Sequence, residues 1–163
     1  MKVEYINPFL TSTISTFQTM LNCQLTRQEP YVKGGVRPEH EVSGVIGLSG
    51  KAKGTVVLSL SREAALSAAA AMLGERPTEI NADVADAVGE LTNIIAGGAK
   101  SQLEHLKLTV SLPTVITGKW HSIEFPRRVT PICIPFGCRW GSVAVEVGLL
   151  EQPAPAAGVG SGG

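Results

Sequence analysis

The sequence has no net charge: 14 Lys and Arg balance 14 Asp and Glu among 163 residues. That removes the electrostatic basis for binding nucleic acid or an anionic membrane surface. It lacks any apolar run of about 18 residues, the length that a membrane-spanning helix requires. The opening stretch, MKVEYINPFL, carries one lysine and no long apolar segment, so it does not read as a secretory signal. The expected location is the cytoplasm. Cysteine is scarce. Cys23, Cys133 and Cys138 are odd in number and widely spaced, which argues against a disulfide framework, and inert buried thiols are expected. His40, His105 and His121 stand apart with no partner at zinc spacing. There is no G-x-S-x-G elbow and no Cys-His signature of a thiol hydrolase. GVIGLSGKAKG, from Gly44 to Gly54, comes near a phosphate-binding loop but fails it. Its glycines are one residue too far apart, Ala52 stands where a metal-binding hydroxyl belongs, and a strand follows instead of a helix. It reads as a hairpin turn.

What remains is 44% hydrophobic, enough for one domain with a real core, assigned to residues 1–152. The tail PAPAAGVGSGG, residues 153–163, has too little apolar surface to bury and is expected to be disordered.

Asn7 as cap and Pro8 at the first helical position, followed by Phe9, Leu10, Ile14, Phe17, Met20 and Leu21, predict a helix from Pro8 to Leu21. Three strands are expected next, over Gln24–Val32, His40–Leu48 and Gly54–Leu60, the last two joined by the turn SGKAKG. Ser61 caps an alanine-rich helix that Gly74 closes. Asn81 caps a long helix, Ala82 to Leu106. Strands are then expected over Leu112–Gly118, Val129–Phe136 and Gly141–Leu149, with mixed character from Lys119 to Arg128. The order α-β-β-β-α-α-β-β-β gives adjacent strands, hence an α+β fold with a largely antiparallel sheet packed against helices.

The long helix has two sides. Val84, Val88, Leu91 and Ile95 share its core face, widened by Ala87 and Ile94. Opposite run Asp83, Asp86, Glu90, Asn93, Gly97, Lys100 and Glu104, one ridge at steps of three or four. A plain solvated face accounts for such a ridge in most helices. Yet Gly97 and Gly98 each weaken a helix by about 1 kcal/mol relative to Ala, and the pattern runs on beyond them. Gly97 clears space on the ridge one turn past Asn93; Gly98 lies nearer the buried side, where helix packing accounts for it. Both readings stay open on the residues alone. Glu90 offers a carboxylate that accepts hydrogen bonds, and Asn93 an amide that both donates and accepts. Neither is a nucleophile here. A carboxylate to anchor and an amide to orient water suit phosphoryl hydrolysis, where positioning dominates. Asp86 and Lys100 flank the pair as docking charges or as ordinary surface charges.

NADVADAVGELTNIIAGGAKSQLE resembles the signature helix of the CheC/CheX/FliY chemotaxis phosphatases, whose motif is E-x-x-N followed by a glycine-containing stretch. Here it is Glu90-Leu91-Thr92-Asn93, then Gly97-Gly98. INPFLTSTISTFQTMLN resembles the opening helix of the CheX branch, and the likeness covers most of residues 5–150. The resemblance implies a phosphatase acting on the phospho-aspartate of a CheY-like receiver domain. Glu90 would pair with the receiver's lysine, Asn93 would orient the attacking water, and the receiver would bring its own Mg²⁺, the chain having no cofactor of its own. A single E-x-x-N agrees with the CheX branch, which implies a homodimer. The rival reading is a non-catalytic adaptor that binds a receiver or a flagellar-switch partner, as the related FliM middle domain does.

Overall fold

Val42, Gly44, Ile46 and Leu48 alternate with Ser43, Val45, Gly47 and Ser49, so this strand has an oily face and a mixed one. The computed structural model describes residues 2–32, 40–119 and 121–153. In it the strand, β3 (Val42–Ser49), pairs antiparallel with β4 (Ala52–Leu60), and Gly44 lies opposite Leu58. Around them the eight-stranded sheet runs β1-β7-β8-β4-β3-β5, with β2 on β7 and β6 on β3. The remaining strands are β1 (Thr26–Arg27), β2 (Tyr31–Val32), β5 (Thr109–Val110), β6 (Thr114–Thr117), β7 (Ile132–Cys138) and β8 (Gly141–Glu151). All these pairings are antiparallel, as the α+β expectation requires.

Three helices cover one face: α1 (Val3–Leu21), α2 (Arg62–Leu73) and α3 (Ala82–Ser101). Register decides which strand residues meet them. Val42, Ile46, Val56, Leu58, Val145, Val147, Ile134 and Phe136 join one core with Phe9, Phe17, Leu66, Leu91 and Ile95 of the helices. Ser43, Ser59, Glu146 and Gly148 face the other way. There Phe125 and Val129 pack over Gly148, where a Cβ would strike Val129. His121 fastens this covering segment. Its Nε2 lies 2.7 Å from the Ser43 hydroxyl, its Nδ1 2.5 Å from the Gly118 carbonyl, and Ser43 is 2.7 Å from Ser59.

Several expected boundaries move. Helix α1 starts at Val3 rather than Pro8, and Lys2, not Asn7, precedes it. The cause is tertiary. Tyr5 is buried, its hydroxyl bonds Glu151, and Lys2 reaches the same carboxylate at 3.0 Å, which docks an extra turn on the end of β8. Pro8 thus sits inside the helix, where its missing N–H leaves only the carbonyl of exposed Glu4 without its bond. The expected strand over Gln24–Val32 breaks into β1 and β2 around Glu29-Pro30, since proline cannot donate to β7. Helix α3 ends at Ser101, not Leu106. A 3-10 turn, Glu104–Leu106, follows and still buries Leu103 and Leu106 while the Leu106 carbonyl accepts from the Lys51 N–H at 2.8 Å. The strand expected over Leu112–Gly118 is shortened by Pro113, and β5 precedes it. β7 begins at Ile132 rather than Val129, which instead covers Gly148. Residues 154–163, most of the tail expected to be disordered, lie outside the described residues.

Candidate functional site

Helix α3 begins where the Asn81 side chain accepts the Val84 N–H at 3.0 Å, a standard N-cap. It is wedged among α1, α2, β3 and β6. Val84, Val88, Leu91, Ile95 and Ala99 are fully buried. Three close approaches lock it. Gly44 of β3 leaves room for Thr92, whose Oγ1 a Cβ there would overlap; that hydroxyl instead donates to the Val88 carbonyl at 2.7 Å. Gly98 leaves room for Ser12 of α1, whose hydroxyl donates to the Ile95 carbonyl at 2.8 Å. Gly89 lets β6 and the segment before it lie against the helix, where a Cβ would come 3.3 Å from Val115 and 3.6 Å from Pro113. Loss of side chains at these points brings backbones together and holds α3 rigidly.

The outward ridge has the opposite character. Asp83, Asp86, Glu90, Asn93, Gly97, Lys100 and Glu104 are all exposed. Neither Glu90 nor Asn93 has a hydrogen-bond or ion-pair partner among the described residues. Spaced three apart on a helix, they face the same target. Among the described residues a Cβ on Gly97 would meet nothing within 4 Å, so this glycine serves no packing there. Gly98 does. Of the hydroxyls on α3, Thr92 is buried and Ser101 donates to the Gly98 carbonyl at 2.7 Å, so neither is presented as a nucleophile. The ridge offers a carboxylate, an amide and clearance.

Other groups lie apart from it. A cavity of about 660 Å³ between Gly50, Lys51, His105, Leu106 and Glu151–Pro153 contains none of the ridge residues. Among the described residues no three His, Cys, Asp or Glu side chains gather as metal ligands. All three cysteines are free thiols. The Cys138 thiol donates to the Gly141 carbonyl at 3.4 Å and neighbours Cys23, and burial pushes the Cys23 thiol up to about 11. The sequence reading gave no role to Gly44, Gly89, Leu112 or Pro113. Gly89 carries the one available signal, a third helical glycine directly before the carboxylate.

An antiparallel sheet thus carries three helices on one face, and α3 presents the unpaired Glu90 and Asn93 of an E-x-x-N. The family described as chemotaxis phosphatase CheX matches residues 42–137, which include the whole ridge from Asp83 to Glu104. The CheY-P phosphatase CheX of Thermotoga maritima is 30% identical over 122 residues, covering 73% of this chain and 79% of that protein. A CheC-like superfamily protein from Shewanella sp. PV-4 is 35% identical and superposes with a TM-score of 0.85 over 92% of this chain and 99% of that one. The fold recurs at 24% identity, with a TM-score of 0.79 over 92% of this chain and all of the other, in a CheX-CheY-BeF3-Mg²⁺ complex from Borrelia burgdorferi. The chain belongs to the CheX family, and with it to the phosphatases.

Proposed function

We propose that the protein hydrolyses the aspartyl phosphate of a CheY-like receiver domain, with Glu90 and Asn93 as its working pair. The observation that carries this reading is that both side chains stand free on a helix otherwise locked on three sides. Rigid presentation matters because such a reaction gains mostly from placing water in line. The Asn93 amide enters the receiver's site and holds a water behind the phosphorus. The water oxygen bonds to phosphorus as the phosphorus–oxygen bond to the aspartate breaks. The carboxylate leaves, and the water's protons pass to the phosphate and solvent. Glu90 pairs with a receiver lysine and sets the register of the two proteins. Gly97 leaves room for the receiver surface, and Asp86 and Lys100 border the contact. Mg²⁺ is held by the receiver and neutralises phosphoryl oxygens there. The setting is the cytoplasm, where receivers are phosphorylated.

Homodimerisation is part of the same reading. Among the described residues β6 pairs only with β3, so its other edge is open to a second copy. Sedimentation of the purified chain reads this directly.

The test is phosphate loss from a labelled phospho-receiver with wild type, Asn93→Ala and Glu90→Ala. Asn93→Ala is expected to abolish turnover and keep docking; Glu90→Ala weakens both. A wild type that binds the phospho-receiver without shortening its lifetime is the adaptor, and the catalytic reading is then wrong.

A further inference from the structure

Leu112 is 88% exposed, more than Val3 at 67%, Val32 at 64% or Leu73 at 50%. Single exposed apolar residues are common, and exposure alone assigns nothing. The setting of this one is unusual in two respects.

First, it is held in place. The Ser111 N–H donates to the Gly47 carbonyl at 2.9 Å, and the Gly47 N–H donates to the Ser111 hydroxyl at 2.8 Å. That hydroxyl in turn donates to the carbonyl of Leu112 itself at 3.0 Å. On its other side Pro113, with φ fixed by its ring, packs over Gly89. A leucine between two anchored neighbours stays in the solvent instead of folding back.

Second, it stands beside the ridge. Gly89, which the loop touches, immediately precedes Glu90. Helical geometry puts Asn93 roughly 40° around α3 from Gly89, and Asp86 roughly 60°. The loop therefore flanks the ridge on the side of Asn93 and Asp86. The ridge's first half is acidic, through Asp83, Asp86 and Glu90. Together these make a surface of fixed negative charge with one rigid apolar knob at its margin.

We infer that Leu112 is a specificity anchor for the receiver, inserting into an apolar depression next to the lysine that Glu90 pairs with. This rests on the proposed receiver reading. It adds a contact remote from the reacting atoms, one that sets affinity for the partner and leaves the chemical step alone.

The experiment compares wild type, Leu112→Ser and a control, Val32→Ser, which is also largely exposed but lies on β2. For each, KM and kcat are measured on the phospho-receiver, and Kd on the same receiver held in its beryllofluoride form. Urea unfolding and sedimentation accompany both. Leu112→Ser is expected to raise KM and Kd at least about 10-fold, the effect of leaving one leucine unburied. kcat, unfolding midpoint and mass should stay at wild-type values, and Val32→Ser should leave every value unchanged. Wild-type KM and Kd in Leu112→Ser overturn the inference while leaving the receiver reading intact. A change of mass instead assigns Leu112 to a second copy of the chain and overturns it too. If wild type neither binds nor dephosphorylates a receiver, the receiver reading itself fails and takes the anchor with it.

Discussion

Ser12 of α1 reaches over Gly98 of α3 and donates to the Ile95 carbonyl at 2.8 Å, while one residue away Gly97 faces open space. Two adjacent glycines thus do opposite things. Gly97→Ala should stabilise the fold by up to about 1 kcal/mol through helix propensity. Gly98→Ala should gain nothing, because the new Cβ displaces Ser12 and costs its hydrogen bond, worth about 1 kcal/mol. Urea midpoints of the two variants check this, and equal gains contradict it.

A larger side chain at Gly97 separates stability from docking. Gly97→Leu should fold as well as wild type, since among the described residues nothing lies within 4 Å of its Cβ. It should slow dephosphorylation of a receiver at subsaturating concentration by about 10-fold or more if the partner comes close there. Unchanged rates would show that the clearance is not used.

Gly44 tests the seat of the helix on the sheet. Gly44→Ala overlaps Thr92, which is caged and already bonded to Val88. The expected cost is about 1–3 kcal/mol, the usual range for overpacking a core. Thr92→Ser in the same chain should recover little of it, because the overlap is with the hydroxyl itself.

The Cys23 thiol gives a pH signature. Burial raises it from an ordinary 9.0 to about 11; the neighbouring Cys138 acts the same way, while Arg139 opposes. The unfolded chain loses this proton first as pH rises. The group's contribution to stability is therefore complete below about 9 and is lost as pH climbs through about 11. Urea midpoints across that window should fall more steeply for wild type than for Cys23→Ala. At pH 8 iodoacetamide should label Cys23 only after unfolding.

Local chemistry made much of this legible before any coordinates. Ser61, Gly74 and Asn81 act at helix ends through their own side chains or backbone, so α2 and the start of α3 are where the sequence puts them. The ridge followed from helical spacing, which depends on no other part of the chain. The misread ends were set by distant partners. Nothing near Pro8 announces that Tyr5 will meet Glu151, and nothing in the long helix announces that Leu106 will accept from Lys51. The same holds for the site. Glu90 and Asn93 stand three apart and are visible in a line of text, whereas Leu112 comes beside them only because Gly47, Gly89 and Ser111 bring two separate segments together.

The Lys2 ammonium and the Glu151 carboxylate, 3.0 Å apart, bring the start of α1 and the end of β8 to one spot on the surface. A donor dye before Val3 and an acceptor after Gln152 would therefore sit within strong energy-transfer range in the native protein and separate on unfolding. The same closeness makes a circularly permuted chain, reopened at the Gly50–Lys51 turn and joined by a short linker at that spot, a feasible carrier for the intact ridge.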